Sequence, residues 1–200
     1  MSTSATLRTV FSIGDTPARL ADATLVMIDF QNTYRSGVMQ LEGAEEALAA
    51  GARLLAAARA AGTRVVHVIN DGGEGTAYDI QAEIGAISPE VAPVGGEPVV
   101  VKRVPNSFHD TELDTILREF GAGTGTGEEL ILAGCRTPMC VAFTAQGAFN
   151  LGYRPTVVAE ATATRSLAAP DGTVVPAATL HDAALTTIAD LFGVVVPTVD

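Results

Sequence analysis

Short continuous apolar runs alternate along this chain with segments of helical periodicity. The runs are "ATLVMID" (23–29), "TRVVHVIN" (63–70), "EPVVVKR" (97–103), "EELILAG" (128–134), "RPTVVAE" (154–160) and "GVVVPTV" (193–199). Runs of this kind, without polar alternation, suit strands buried on both faces. Between them, "AEEALAAGARLLAAARAAG" (44–62), "DTELDTILREFG" (110–121), "CVAFTAQGAFNLG" (140–152) and "PAATLHDAALTTIADLF" (176–192) space their apolar residues as helices do, and Gly62 offers a C-cap. Residues 71–96 form an irregular insertion. "GAGTGTG" (121–127) lacks the lysine of a phosphate loop and reads as a turn. Strand and helix in alternation predict an α/β protein: one domain over residues 1–200, a three-layer α/β/α sandwich on a six-stranded, mainly parallel, Rossmann-like sheet.

Composition narrows the function. The formal charge is −11 and Lys102 is the only lysine, so there is no basic footprint for nucleic acid or for an anionic membrane surface. No apolar run approaches the roughly 20 residues that span a bilayer. The start "MSTSATLRTV" has no charged segment leading into an apolar one, and two cysteines do not make a disulfide framework. A cytoplasmic protein is expected.

Ligands of an open parallel sheet bind beyond the carboxyl ends of its strands. The first predicted strand delivers Asp29 there, the third Lys102, and the fourth leads through "GCRTPM" into Cys140. An acid, a base and a thiol distant in sequence can thus meet at one edge. Each residue also has a structural alternative. Asp29 could be a turn former, Lys102 could reach solvent, and Cys135 reads as a small apolar residue of the strand end. Cys140 differs in opening a predicted helix, where free N–H groups favour a thiolate. Two cysteines without nearby histidines make no metal clip.

Three motifs then carry a resemblance. "VMIDFQNTY", "VVVKRVPNSF" and "GCRTPMCVAFTAQGAF" resemble, in order and spacing, the D-x-Q-N-D-F, K-x-x-x-S-x-F and G-x-x-T-x-x-C-V-x-x-T-A-x-x-A motifs of the isochorismatase-like cysteine hydrolases. The resemblance covers about residues 20–197. It implies an Asp29–Lys102–Cys140 triad that cleaves a C–N bond of a small amide or lactam through a thioester. It implies that Lys102 lowers the thiol pKa and that the Met139 and Cys140 amides form an oxyanion hole. It further implies a cis peptide at Cys135–Arg136, no cofactor, and a homodimer or homotetramer. Gln31, Tyr34, Phe108 and Arg136 are the candidate pocket residues, with Gln31 and Asn32 bracing the loop after the first strand.

Thr33, Tyr34, Arg136 and Pro138 depart from the family pattern and leave the substrate open. Vinyl ether hydrolysis of the isochorismatase type is the nearest rival, but those enzymes typically lack the cysteine. A metal-assisted nicotinamidase would need histidine in "NDGGEGTAYD", which retains only Asp71, so no metal is expected. A non-catalytic binding protein on the same fold is the third reading. In the insertion, Asp71, Glu74, Asp79, Glu83 and Glu90 occur without a lysine or arginine; they read as a solvated acidic loop or, where they face the pocket, as a field that favours an amine-bearing substrate such as the lactam of streptothricin hydrolases. Arg136 argues instead for a carboxylate.

Overall fold

A computed structural model describes residues 5–121 and 129–199. Apart from Gly121, the glycine-rich turn read at 121–127 lies outside the described residues. The strands are β1 (Thr24–Ile28), β2 (Arg64–Asn70), β3 (Val99–Lys102), β4 (Glu129–Cys135), β5 (Arg154–Ala163), β6 (Leu167–Ala168), β7 (Val174–Val175) and β8 (Val194–Val196). The helices are α1 (Leu7–Val10), α2 (Ala44–Ala60), α3 (Leu113–Gly121), α4 (Ala142–Asn150) and α5 (Ala177–Thr187).

Six strands form one sheet in the order β3-β2-β1-β4-β5-β8, parallel at every pairing, while β6 and β7 make a small antiparallel hairpin. The sheet is therefore the expected one, and wholly rather than mainly parallel. Its strand order reverses between β1 and β4, which opens the crevice where such sheets bind ligands.

Successive side chains of β1 divide between the two faces. Leu25 and Met27 pack with Leu48, Leu54, Leu55 and Ala58 of α2. Val26 and Ile28 pack with Leu113 and Leu117 of α3 and with Ala145 and Ala148 of α4. All of these side chains are buried, and each large aliphatic one contributes roughly 1.5–3 kcal/mol on burial. At the edge, β3 alternates: Val99 and Val101 are exposed, whereas Val100 and Lys102 are buried. That alternation turns Lys102 inward.

Several boundaries differ from the sequence reading. The helix expected from residue 110 begins at Leu113, because Asp110 adopts a left-handed φ of 52° and the Thr111 hydroxyl accepts from the Leu113 amide. The helix expected over 176–192 ends as a π turn, Ile188–Phe192. Strand β5 continues to Ala163 past a register shift against β4, and there Ala163 pairs with Cys135. Gly134, with φ 142°, lets β1 and β4 close together, since a Cβ there would overlap the Ile28 carbonyl.

The insertion after β2 is tied at its far end by Glu97. Its carboxylate takes a bidentate pair from Arg59 of α2 at 2.7 and 2.8 Å, and it meets Nε2 of buried His67 at 2.9 Å. The Arg59 contacts lead in holding Glu97 down at a pKa of about 2, against an ordinary 4.5. A depressed carboxylate stabilises the fold above its unfolded pKa and stops doing so as pH falls through its folded one. Glu97→Gln is therefore expected to lose about 1–3 kcal/mol at neutral pH. The gap to wild type in urea unfolding should close as pH falls from 4.5 towards 2. A gap that does not change with pH would contradict this role.

Candidate active site

Asp29 follows the last residue of β1 in a left-handed conformation, φ 51°, with its amide donating to the Val68 carbonyl at 2.9 Å. Positive φ is uncommon outside glycine and is tolerated where the surroundings over-determine it. It breaks the strand's alternation just where the acid must turn. Lys102 Nζ lies 2.7 Å from Asp29 Oδ2, with both side chains fully buried. The same ammonium donates to Cys140 Sγ at 3.3 Å and to Asn70 Oδ1 at 3.4 Å. Three strand ends thus bring the expected acid, base and thiol together.

Among the described residues, neither carboxylate oxygen of Asp29 accepts a hydrogen bond of ordinary geometry. The charge of Lys102 and the adjacent thiol are its surroundings. Buried polar atoms are nearly always satisfied, and this carboxylate is held by the charge of Lys102 at 2.7 Å instead. Its lone pairs are available for a proton.

Burial and charge act together on all three groups. Burial raises the Asp29 pKa, and Lys102 offsets only part of that. For Lys102 burial works against the ammonium, but the Asp29 and Cys140 charges outweigh it and its pKa is raised. The Cys140 thiol is pushed up to about 12, by burial first and by the Asp29 carboxylate next, with Lys102 pulling the other way. Lys102 acts in the expected direction and lowers the thiol pKa, but burial and the Asp29 carboxylate outweigh it, so the net shift is upward. Cys140 therefore rests as a thiol.

The nucleophile loop differs from the expected helix start. The Cys135–Arg136 peptide is cis. Helical structure begins with a π turn, Thr137–Val141, and α4 follows it, so Cys140 precedes the regular helix rather than opening it. Pro138 in that first turn has no N–H to place. The Met139 amide donates to the Arg136 carbonyl at 3.1 Å and the Val141 amide to the same oxygen at 3.2 Å. An oxyanion would have to take the Met139 donor from Arg136, while the Cys140 amide lies between these two. Thr137, fully buried, bonds His181 Nδ1 of α5 at 3.0 Å.

The pocket residues divide. Tyr34 is buried, and the charges on Asp29 and Cys140 both act on its phenol, so it faces the triad. Gln31 does not line a pocket, because its amide is fully engaged. It donates to the Asn70 and Gly85 carbonyls at 3.0 and 2.7 Å and accepts from the Asn70 amide at 3.0 Å. Asn32 braces likewise, through the Glu83 carbonyl and Ser88. Phe108 is a packing residue that stacks on Tyr153 at 5.7 Å, near the start of β5 and so at the other end of the sheet. Arg136 is half-buried beside the nucleophile loop.

Two features escaped the sequence reading. Tyr78, the only aromatic residue of the insertion, meets Tyr34 edge-on at 5.8 Å, and its hydroxyl feels Arg136, Cys140 and Asp29. Ser107 and Thr144, both fully buried, join the loop after β3 to α4 through a 2.8 Å hydroxyl pair and so hold Lys102 against Cys140. The acids of the insertion, in contrast, have local tasks. Asp79 accepts the Gly75 and Gln81 amides, Glu90 pairs with Arg35 at 3.1 Å, and Asp71 pairs with Arg103 at 3.3 Å. Glu74 and Glu83 are exposed. Among the described residues no group of three or more His, Cys, Asp or Glu side chains is placed to hold a metal, and no helix is long and apolar enough to cross a membrane.

Comparison with known proteins follows this geometry. A family model described as the isochorismatase domain matches residues 23–200. The chain is 31% identical over 194 residues to the secreted isochorismatase effector Isc1 of Verticillium dahliae, covering 96% of this chain and 97% of that one. It is 36% identical to a streptothricin hydrolase of Streptomyces noursei, covering 77% and 55%. It is 33% identical to a maleamate amidohydrolase of Pseudomonas putida, covering 68% and 70%. An isochorismatase crystal structure from Pseudomonas putida KT2440 superposes with a TM-score of 0.91 at 39% identity, over 98% and 97% of the two chains.

A thiol held near 12 should alkylate slowly at neutral pH. With iodoacetamide, the labelling rate of Cys140 is expected to climb about tenfold per pH unit from about pH 7 to pH 9 without a plateau, following the thiolate fraction. Peptide mass spectrometry assigns the label. A plateau near pH 7 would show a resting thiolate instead.

Proposed function

This chain belongs to the isochorismatase family and is, like its amidohydrolase relatives, a hydrolase of non-peptide C–N bonds, and we propose that it works by covalent catalysis through Cys140, Asp29 and Lys102. The observation that carries this reading is the buried Lys102–Asp29 pair of 2.7 Å set against the thiol, with the carboxylate oxygens otherwise unoccupied. The substrate is a small amide or lactam.

As Sγ of Cys140 attacks the carbonyl carbon, Asp29 takes the thiol proton, so no free thiolate has to accumulate. Lys102 stays charged and balances whichever of the two groups is anionic. The carbonyl oxygen becomes an oxyanion beside the Cys140 amide. The C–N bond then breaks, the Asp29 proton passes to the leaving nitrogen, and an acyl thioester remains. Water attacks the thioester while giving its proton to Asp29. Collapse releases the carboxylic acid, and the proton returns to the sulfur.

A mechanism in which three groups act on one proton predicts losses that do not add. Cys140→Ala, Asp29→Asn and Lys102→Ala are each expected to lower kcat by about a thousandfold or more, with the double variants little worse than the singles. Circular dichroism reports whether each variant remains folded. Turnover by folded Cys140→Ala within tenfold of wild type would remove the cysteine from the chemistry.

A further inference from the structure

Most arginines of this acidic chain sit on an anion or an aromatic ring. Arg8 pairs with Asp15, Arg35 with Glu45 and Glu90, Arg59 with Glu97, Arg103 with Asp71, Arg118 with Asp114 and Arg154 with Glu129, while Arg64 lies over Phe120. Arg19 and Arg53 are exposed and need no partner. Arg136 and Arg165 fit neither description. Both are half-buried, and among the described residues neither side chain has a hydrogen bond or an ion pair. Nε of Arg165 is fully buried without an acceptor.

These two residues leave the same part of the sheet. Cys135 of β4 and Ala163 of β5 are register partners, so Arg136 follows one immediately and Arg165 follows the other by two residues. Arg136 also acts on the hydroxyl of Tyr78, which in turn feels the Cys140 thiol. A partly buried guanidinium without an anion is costly, and two at one edge of a protein of net charge −11 call for a partner from outside.

We propose that Arg136 and Arg165 form an anion subsite beside the Cys140 loop, where β4 and β5 end, and that the substrate is an amide carrying a carboxylate on the far side of its scissile bond. This rests on the hydrolase reading for the word substrate, but not for the binding itself. A planar guanidinium grips a carboxylate by paired N–H donors and would fix the carbonyl over Sγ. It also replaces the amine-bearing substrate suggested by the insertion's acids, of which Asp71, Asp79 and Glu90 are engaged elsewhere.

The test is calorimetric titration of the full chain, and of Cys140→Ala, with the dicarboxylates from malonate to adipate and with their neutral diamides. At least one dicarboxylate is expected to bind saturably, about tenfold or more tighter than its diamide and more weakly as salt rises. Arg136→Gln should erase that preference, and Arg165→Gln should reduce it by about threefold or more, while diamide binding stays as it was. Binding to Cys140→Ala that matches wild type keeps this result separate from any failure of the catalytic mechanism. If no dicarboxylate binds better than its diamide, or the preference survives Arg136→Gln, the subsite does not exist. A preference untouched by Arg165→Gln would overturn the paired arrangement.

Discussion

The 2.7 Å pair between Lys102 and Asp29, with both charges fully out of water, is the constraint to which the rest of the site conforms. Desolvating two ions costs several kcal/mol each, and their attraction roughly repays it, so such a pair is a weak reason for stability. Removing one partner, by contrast, strands a buried charge at about 3–5 kcal/mol. The structure is arranged to keep the two together. Asp29 turns through a left-handed backbone, β3 alternates so that its last side chain faces inward, and Ser107 bonded to Thr144 fixes the loop that follows. Gln31, bonded to both the β2 end and the insertion, holds the first loop in place.

The pair also determines where the reactive proton resides. A second anion beside Asp29 is unfavourable, so sulfur keeps its proton, and in the proposed mechanism the carboxylate takes it as attack begins. In the proposed mechanism Lys102 balances a single negative charge that moves between carboxylate, sulfur and carboxylate again.

That Asp29, Lys102 and Cys140 meet was legible in the sequence, because each ends or follows an apolar run and a parallel sheet sends those ends to one edge. The six-strand architecture followed from the same runs. Side-chain direction was not legible. Gln31 and Phe108 sit in motifs, yet one is consumed by backbone hydrogen bonds and the other stacks on Tyr153 away from the site. Tyr78 lies in a stretch without periodicity, and only the folded insertion brings it over Tyr34. The acids of that insertion suggested a field in the pocket, but turn formation and nearby arginines claim Asp71, Asp79 and Glu90. The thiol's pKa depends on burial and on Asp29 at contact range, which sequence spacing does not report.

Covalent catalysis makes a claim about one atom, so the most direct measurement weighs the enzyme during turnover. Acid-quenched intact-protein mass spectrometry with a slowly hydrolysed amide or activated ester should show the acyl group added in wild type. Peptide mapping should place it on Cys140, hydroxylamine should remove it, and Asp29→Asn and Cys140→Ala should not form it. An adduct on another residue, or turnover with no adduct under conditions where release of acid is slower than release of the leaving group, would contradict the account.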